Sequence, residues 1–223
     1  DDDKLHEECA IVGIWNAAGA AKLTALGLHA LQHRGQEASG IVSYARSEGR
    51  FYSRKGRGHV ERVFGAPNRI EGLKGGGAIG HNRYATTGED NASNIQPMFA
   101  EFSFGGFAVA HNGNLTNAVK VRERLVSDGS IFQSTSDTEV IIHLIARSVR
   151  TTLVDRVIDA LTQMDGAYSL VMLSRKKLIG VRDPMGVRPL AFGRLRDPNG
   201  AGDAYVFASE SCAFDMIGAE FIR

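Results

Sequence analysis

The sequence predicts an α+β protein built from antiparallel sheets. Short strand-like runs come in groups, runs with helical spacing come together between those groups, and tight-turn signals join neighbouring strands. The regular strand–helix alternation that makes a wound parallel sheet is missing. Two such sheets laid face to face need helices on their outer sides to bury both surfaces, so the expected architecture is a layered sandwich.

The elements follow in order. Ala10–Trp15 reads as a buried strand, and Leu23, Leu26, Ala30 and Leu31 recur at helical spacing within residues 20–32. Residues 40–45 and 50–54 pair as a hairpin around Ser47-Glu48-Gly49, and residues 98–104 and 107–111 pair through Gly105-Gly106. A helix over residues 116–127 should stop at Gly129, a suitable left-handed residue. The next opens with Ser136-Asp137-Thr138-Glu139, which has the pattern of a capping box, ahead of Val140, Leu144 and Ile145. A third covers residues 153–164, and short strands return at 167–174, 178–182, 189–193 and 204–208. Gly75-Gly76-Gly77 lacks the Lys-Ser/Thr of a phosphate loop and reads as a plain loop before a strand.

Composition narrows the class of function. A chain of 223 residues has room for one good-sized core, and 43% apolar with 23% charged residues is ordinary for a soluble globular domain. The 26 Lys and Arg nearly cancel 25 Asp and Glu, which leaves no footprint for nucleic acid or an anionic membrane. No apolar run approaches membrane-span length, and the acidic start is unlike a secretory signal. Asp1-Asp2-Asp3-Lys4 resembles a tag-cleavage sequence. Two cysteines cannot make a disulfide framework, so a reducing, cytoplasmic setting is expected.

Candidate chemistry starts at Cys9. An isolated cysteine is usually a core residue, and what raises this one is its company. A thiolate nucleophile needs a base, an oxyanion site and groups that hold the substrate. Cutting before Cys9 would turn its own nitrogen into an α-amine with a reference pKa of about 7.7–8.0, well placed as a base. While Glu8 is attached that nitrogen is an amide, and the chain should be inert. Asn112-Gly113 alone reads as a turn; with a nucleophile nearby, the Asn112 amide and Gly113 N–H could form an oxyanion hole. Arg83 could be a structural arginine or a clasp for an α-carboxylate. Asp137 is explained by helix capping, yet could pair with an α-ammonium. His29 and His33 have an i, i+4 spacing, but no Glu follows the first and no cysteine is close, so a metal module is discounted.

Together these segments resemble the N-terminal-nucleophile (class II) glutamine amidotransferases, and among them the amidophosphoribosyltransferases. The likeness runs from Leu5 to the last residue, with every motif in family order. It is carried by Leu5-His6-Glu7-Glu8-Cys9, by residues 31–40 (LQHRGQEASG), by residues 80–88 (GHNRYATTG), by Ala110-His111-Asn112-Gly113-Asn114-Leu115 and by residues 134–139 (STSDTE). Residues 182–190 (RDPMGVRPL) and 208–213 (ASESCA) separate this sequence from glucosamine-phosphate synthases and asparagine synthetases.

The resemblance implies a four-layer αββα fold, a propeptide over residues 1–8 and an amidotransferase domain over 9–223. It implies Cys9 as nucleophile supported by Arg34, Asn112 and Gly113 as oxyanion hole, and Arg83 and Asp137 on the glutamine carboxylate and ammonium. Tyr84, Thr86, Thr87 and Gly113 would line the site. The whole enzyme would be a homo-oligomer that passes ammonia to phosphoribosyl pyrophosphate, forming 5-phosphoribosylamine for purine synthesis. That step needs a phosphoribosyltransferase domain, whose acidic pair and pyrophosphate loop do not occur in this sequence. Magnesium, and an iron–sulfur cluster where one is present, go with that domain; no cofactor is expected in this segment. One departure stands out: the family usually has Gly after the nucleophile, whereas this chain has Ala10, whose methyl could crowd the reacting carbonyl or block a positive φ. The alternatives are another class II amidotransferase or a catalytically silent domain of the same fold.

Overall fold

A computed structural model describes residues 9–84, 92–196 and 202–223. In chain order it begins with β1 (Ala10–Trp15), α1 (Ala20–Ala30), a 3-10 turn (Gln32–Arg34), β2 (Ala38–Ala45), β3 (Arg50–Arg57), α2 (Val60–Phe64), α3 (Pro67–Glu71) and β4 (Gly77–Arg83). The middle holds a second 3-10 turn (Ala92–Asn94), β5 (Met98–Phe102), β6 (Gly105–Leu115), α4 (Ala118–Ser127), α5 (Thr138–Arg147) and α6 (Leu153–Leu161). It closes with β7 (Gly166–Ser174), β8 (Leu178–Arg182), β9 (Ala191–Leu195), β10 (Ala204–Ala208), α7 (Cys212–Ile217) and β11 (Glu220–Phe221).

The strands form two sheets, ordered β11-β9-β10-β1-β4-β2-β3 and β5-β6-β7-β8. Every recorded pairing is antiparallel. Period-two alternation assigns the faces. In β1, Val12 and Ile14 face the α1, α2 and α7 side with Leu28, Val63 and Phe214. Ile11 faces the other sheet, joining Val42, Ile79, Ala108, Ala110 and Val171 in the middle layer. In β6, Phe107 and Val109 pack on the outer helices with Val121, Ile141, Ile145 and Val157. The expected αββα sandwich is therefore present. Among the described residues no helix is long and apolar enough to cross a membrane.

Local signals set several boundaries. Gly129 has φ 88°, and Ser130 N–H bonds to Leu125 O at 2.8 Å while Gly129 N–H bonds to Val126 O at 2.9 Å, the paired bonds that close a helix at glycine. Thr152 caps α6 by accepting from Asp155 N–H at 3.2 Å. Other expectations needed correction. The 20–32 helix ends at Ala30 and tightens into the 3-10 turn that carries Arg34. Gly105-Gly106 is not the hairpin turn but the start of β6, paired with Phe102 and Glu101 of β5; a Cβ on Gly106 would lie 2.7 Å from the Phe51 ring. Asn112-Gly113 is not a turn either. β6 runs through it to Leu115, paired throughout with β7, and nonlocal pairing overrides the local turn signal.

Close approach of the middle layer yields a stability prediction. A Cβ on Gly40 would sit 2.1 Å from the Gln96 carbonyl oxygen, whereas one on Gly76 meets nothing closer than 3.6 Å. Gly40→Ala should lower stability by about 1–3 kcal/mol, and Gly76→Ala by less than about 0.5 kcal/mol. Urea unfolding of both variants checks the contrast.

Candidate active site

Cys9 precedes β1 and is pinned at both backbone atoms by one residue. Its N–H donates to the Arg34 carbonyl at 3.0 Å, and its own carbonyl accepts from Arg34 Nε at 2.9 Å. Held there, Cys9 takes φ 72°, a region costly for a residue with a Cβ unless its surroundings fix it. Arg34 is only 2% exposed, and its Nη1 lies 2.5 Å from Glu210 Oε1. Glu210 also faces His33 Nε2 at 3.2 Å. Burial raises the Glu210 carboxyl, but Arg34 and then His33 outweigh burial and leave it below its ordinary value. Next to it, Ser209 brackets Ile11: its N–H donates to Ile11 O and its Oγ accepts from Ile11 N–H, both at 3.0 Å.

A cavity of about 470 Å³ opens beside Cys9, lined from both sheets, from α4 and from the loop leading into α5 by residues including Cys9, Arg83, Tyr84, Gly113, Asp137 and Arg188. Arg83, at the end of β4, keeps its Nε 3.3 Å from Glu37 Oε2. Gly113 has φ 142°, and a Cβ there would lie 2.1 Å from the Ala167 carbonyl oxygen, so only glycine fits. Asn112 continues the Ala108–Ala110 face toward the opposite sheet. It is fully buried, and neither its amide nitrogen nor its amide oxygen has a hydrogen-bond partner among the described residues. Such a group calls for a reason.

Asp137 is the N-cap residue of α5, but its side chain makes no capping hydrogen bond. Its Oδ2 accepts from Leu115 N–H at 3.2 Å, and its Oδ1 lies 3.4 Å from His111 Nδ1. Burial pushes this carboxyl up, while His111 and hydrogen bonds from Leu115 and Thr138 prevail and leave it lowered. The expected capping box is correspondingly rearranged. Ser136 Oγ accepts from Thr138 N–H at 3.3 Å, and Glu139 reaches back to the N–H groups of Gln133 and Ser134, both at 2.8 Å. Arg122 fastens the same loop through the Ser134 and Ser136 carbonyls at 2.9 and 2.8 Å.

His81 ties the sheets together, with Nε2 3.1 Å from the His111 carbonyl. Burial, and then the neighbouring His111, lowers its pKa to about 3, so the ring is neutral. Since a carbonyl only accepts, Nε2 carries the proton.

Among the sequence-predicted residues, Cys9, Arg83, Tyr84, Gly113 and Asp137 meet at one cavity. Arg34 acts on the Cys9 backbone, and Thr86 and Thr87 lie outside the described residues. Ala10 does not crowd the cavity. Its methyl belongs to the outer core facing α1, and the positive φ falls on Cys9 instead. His33 stands in the 3-10 turn facing Glu210, not on an α-helical face with His29. Sequence reasoning gave no roles to Glu210, Arg188, His81 or His111, although all four lie inside motifs it singled out.

The fold and this cavity define a glutamine amidotransferase domain: the sequence matches that family over residues 81–216, more than half the chain, and the protein belongs to it. Within the family its similar relatives are amidophosphoribosyltransferases. That of Rhizobium etli is 52% identical over 223 residues, covering 100% of this chain and 43% of the relative. That of Bacillus subtilis is 46% identical over 220 residues, covering 98% and 44%. The solved glutamine phosphoribosylpyrophosphate amidotransferase from B. subtilis superimposes with a TM-score of 0.88 at 43% identity, covering 96% of this chain and 45% of that one. The chain thus spans less than half the length of the curated relatives it matches.

Asp137 makes the site sensitive to acid. Its folded pKa lies below the unfolded value of about 3.9, so its stabilisation is complete above that value and fades as pH falls through the lower folded one. Asp137→Asn should cost about 1 kcal/mol near neutrality, with the gap from wild type closing in acid. Urea midpoints across that range measure it; a gap independent of pH would contradict the assignment.

Proposed function

We propose that this chain is the glutamine-hydrolysing part of an amidophosphoribosyltransferase, matured by loss of residues 1–8. The observation that carries this reading is the single cavity in which Cys9, Arg83, Gly113 and Asp137 converge. Glutamine presents a carboxylate and an ammonium at one end and the reacting amide at the other. Arg83 and Asp137 supply the two complementary charges, and Tyr84, Thr86 and Thr87 complete that end. The amide carbon then lies against the Cys9 thiol.

In this mechanism the free α-amine of Cys9 takes the thiol proton as sulfur attacks the amide carbon. The developing oxyanion accepts from the Asn112 amide and the Gly113 N–H, which gives the unpartnered Asn112 amide its reason. The ammonium so formed returns its proton to the leaving nitrogen, releasing ammonia and a thioester. Water, deprotonated by the same amine, cleaves the thioester to glutamate and restores the thiol. In the complete enzyme the ammonia displaces pyrophosphate from phosphoribosyl pyrophosphate, giving 5-phosphoribosylamine. A reducing, cytoplasmic setting keeps the thiol available.

Intact mass and turnover test this together: active protein should begin at Cys9, and active protein that retains residues 1–8 would overturn the base assignment. On a chain starting at Cys9, Cys9→Ser should keep glutamine binding and lose most hydrolysis, because an alcohol is far less ionised than a thiol. Asn112→Ala should lower kcat by roughly 10²–10³ with a much smaller change in KM. A raised KM at unchanged kcat would assign Asn112 to ground-state binding instead.

A further inference from the structure

The corner between β10 and α7 has no part in the mechanism above, yet it reaches the nucleophile by two routes. Ser209 brackets the Ile11 backbone, and Glu210 holds the Arg34 side chain, which bonds the Cys9 carbonyl. The corner is itself fixed by β10 pairing with β1, Ala208 opposite Val12, and by Ala213 and Phe214 of α7 buried in the core shared with α1.

We infer that Glu210 is a positioning residue for the Cys9 nucleophile, acting through Arg34. A guanidinium that is 2% exposed has left water, and a neutral carbonyl cannot balance its charge. Glu210 supplies the opposite charge at 2.5 Å and fixes the fork so that Nε points at Cys9 O. Cys9 N–H is meanwhile bound to the Arg34 carbonyl, so one residue sets the orientation of the whole Cys9 backbone. In the mature chain that nitrogen is the base. Its direction relative to Sγ decides whether the proton transfer is in reach. This inference rests on the proposed role of Cys9 and adds the group that aims it.

Removing the Glu210 charge also acts on the amine through Arg34, whose cation beside Cys9 it leaves less balanced. A less balanced cation disfavours an ammonium, so the amine deprotonates at lower pH. Among the described residues, the other titratable and charged groups around Cys9 are Arg34, with His33 and Cys212 against Glu210, and across the cavity His81, Arg83 with Glu37, His111, Arg122, Asp137 and Arg188. The substitution keeps all of these, so a displaced acidic limb of the kcat profile reports the link from Glu210 to the amine.

The experiment uses the full chain beginning at Cys9, with turnover counted per folded molecule. Glu210→Gln should reduce kcat about 10–10²-fold, as expected for a misaimed reacting group, with KM for glutamine changed less than about 2-fold. Its acidic limb should move to lower pH. Glu210→Asp keeps the charge but shortens the reach; its limb should stay in place while kcat falls, and it serves alone if the Gln variant does not fold. Wild-type kcat in either variant overturns the inference, as does a rise in KM matching the fall in kcat/KM. Cys9→Ser, run alongside, separates the two ideas. If it stays inactive while Glu210→Gln is normal, only the positioning role fails; if it turns over glutamine, the nucleophile assignment fails and the role of Glu210 fails with it.

Discussion

The hydrogen bond from His81 to the His111 carbonyl crosses the seam on which the molecule depends. Around it the two sheets meet through apolar side chains such as Ile11, Ile79, Ala110 and Val171, which resist separation but specify offset weakly. A polar bond between buried groups specifies offset, since leaving either group unpaired is costly. Burial keeps His81 neutral, so the bond does not come and go near neutrality. On one side of this tie β4 delivers Arg83, and on the other β6 delivers Asn112 and Gly113. A shift of the sheets along each other would move these groups apart.

Charge is distributed unevenly across that seam. Arg34 and Glu210 form an ion pair at 2.5 Å, and Arg34 bonds the Cys9 backbone from there. Arg83 and Asp137 keep partners too, Glu37 and His111, at the longer separations of 3.3 and 3.4 Å. Short bonds hold the nucleophile. Looser contacts leave hydrogen-bonding capacity for a ligand.

Much of this was legible in the sequence because it depends on local chemistry. Gly129 ends α4 as its conformational freedom dictates, and the grouping of strand-like and helix-like runs gave the layered architecture. The misreadings share one cause. Gly105-Gly106 and Asn112-Gly113 look like turns over a window of a few residues, but the first pairs with β5 two residues past the actual bend and the second is held in β6 by β7, distant in sequence. Asp137 was assigned to capping for the same reason; its actual partner, Leu115, lies 22 residues back. Glu210 and Arg34 are 176 residues apart, and neither residue signals the other in a single sequence. Ala10 shows the converse. Strand alternation puts its methyl on the outer face with Val12 and Ile14.

A cavity lined from two sheets also works as a caliper. On the proposed reading Arg83 and Asp137 hold the charged end of an amino acid and Cys9 presents its sulfur elsewhere in the same cavity, and the pairing of β4 with β1 and the packed middle layer fix the gap. Asparagine offers the same charges and the same amide as glutamine but is shorter by one methylene, about 1.5 Å of bond length. Gripped at the charged end, its amide carbon falls short of the sulfur, and a misplacement of about 1 Å is enough to cost about 10²-fold in rate. Selectivity for glutamine over asparagine is then a length measurement, set by where the packed strands place the charged clasp and the sulfur.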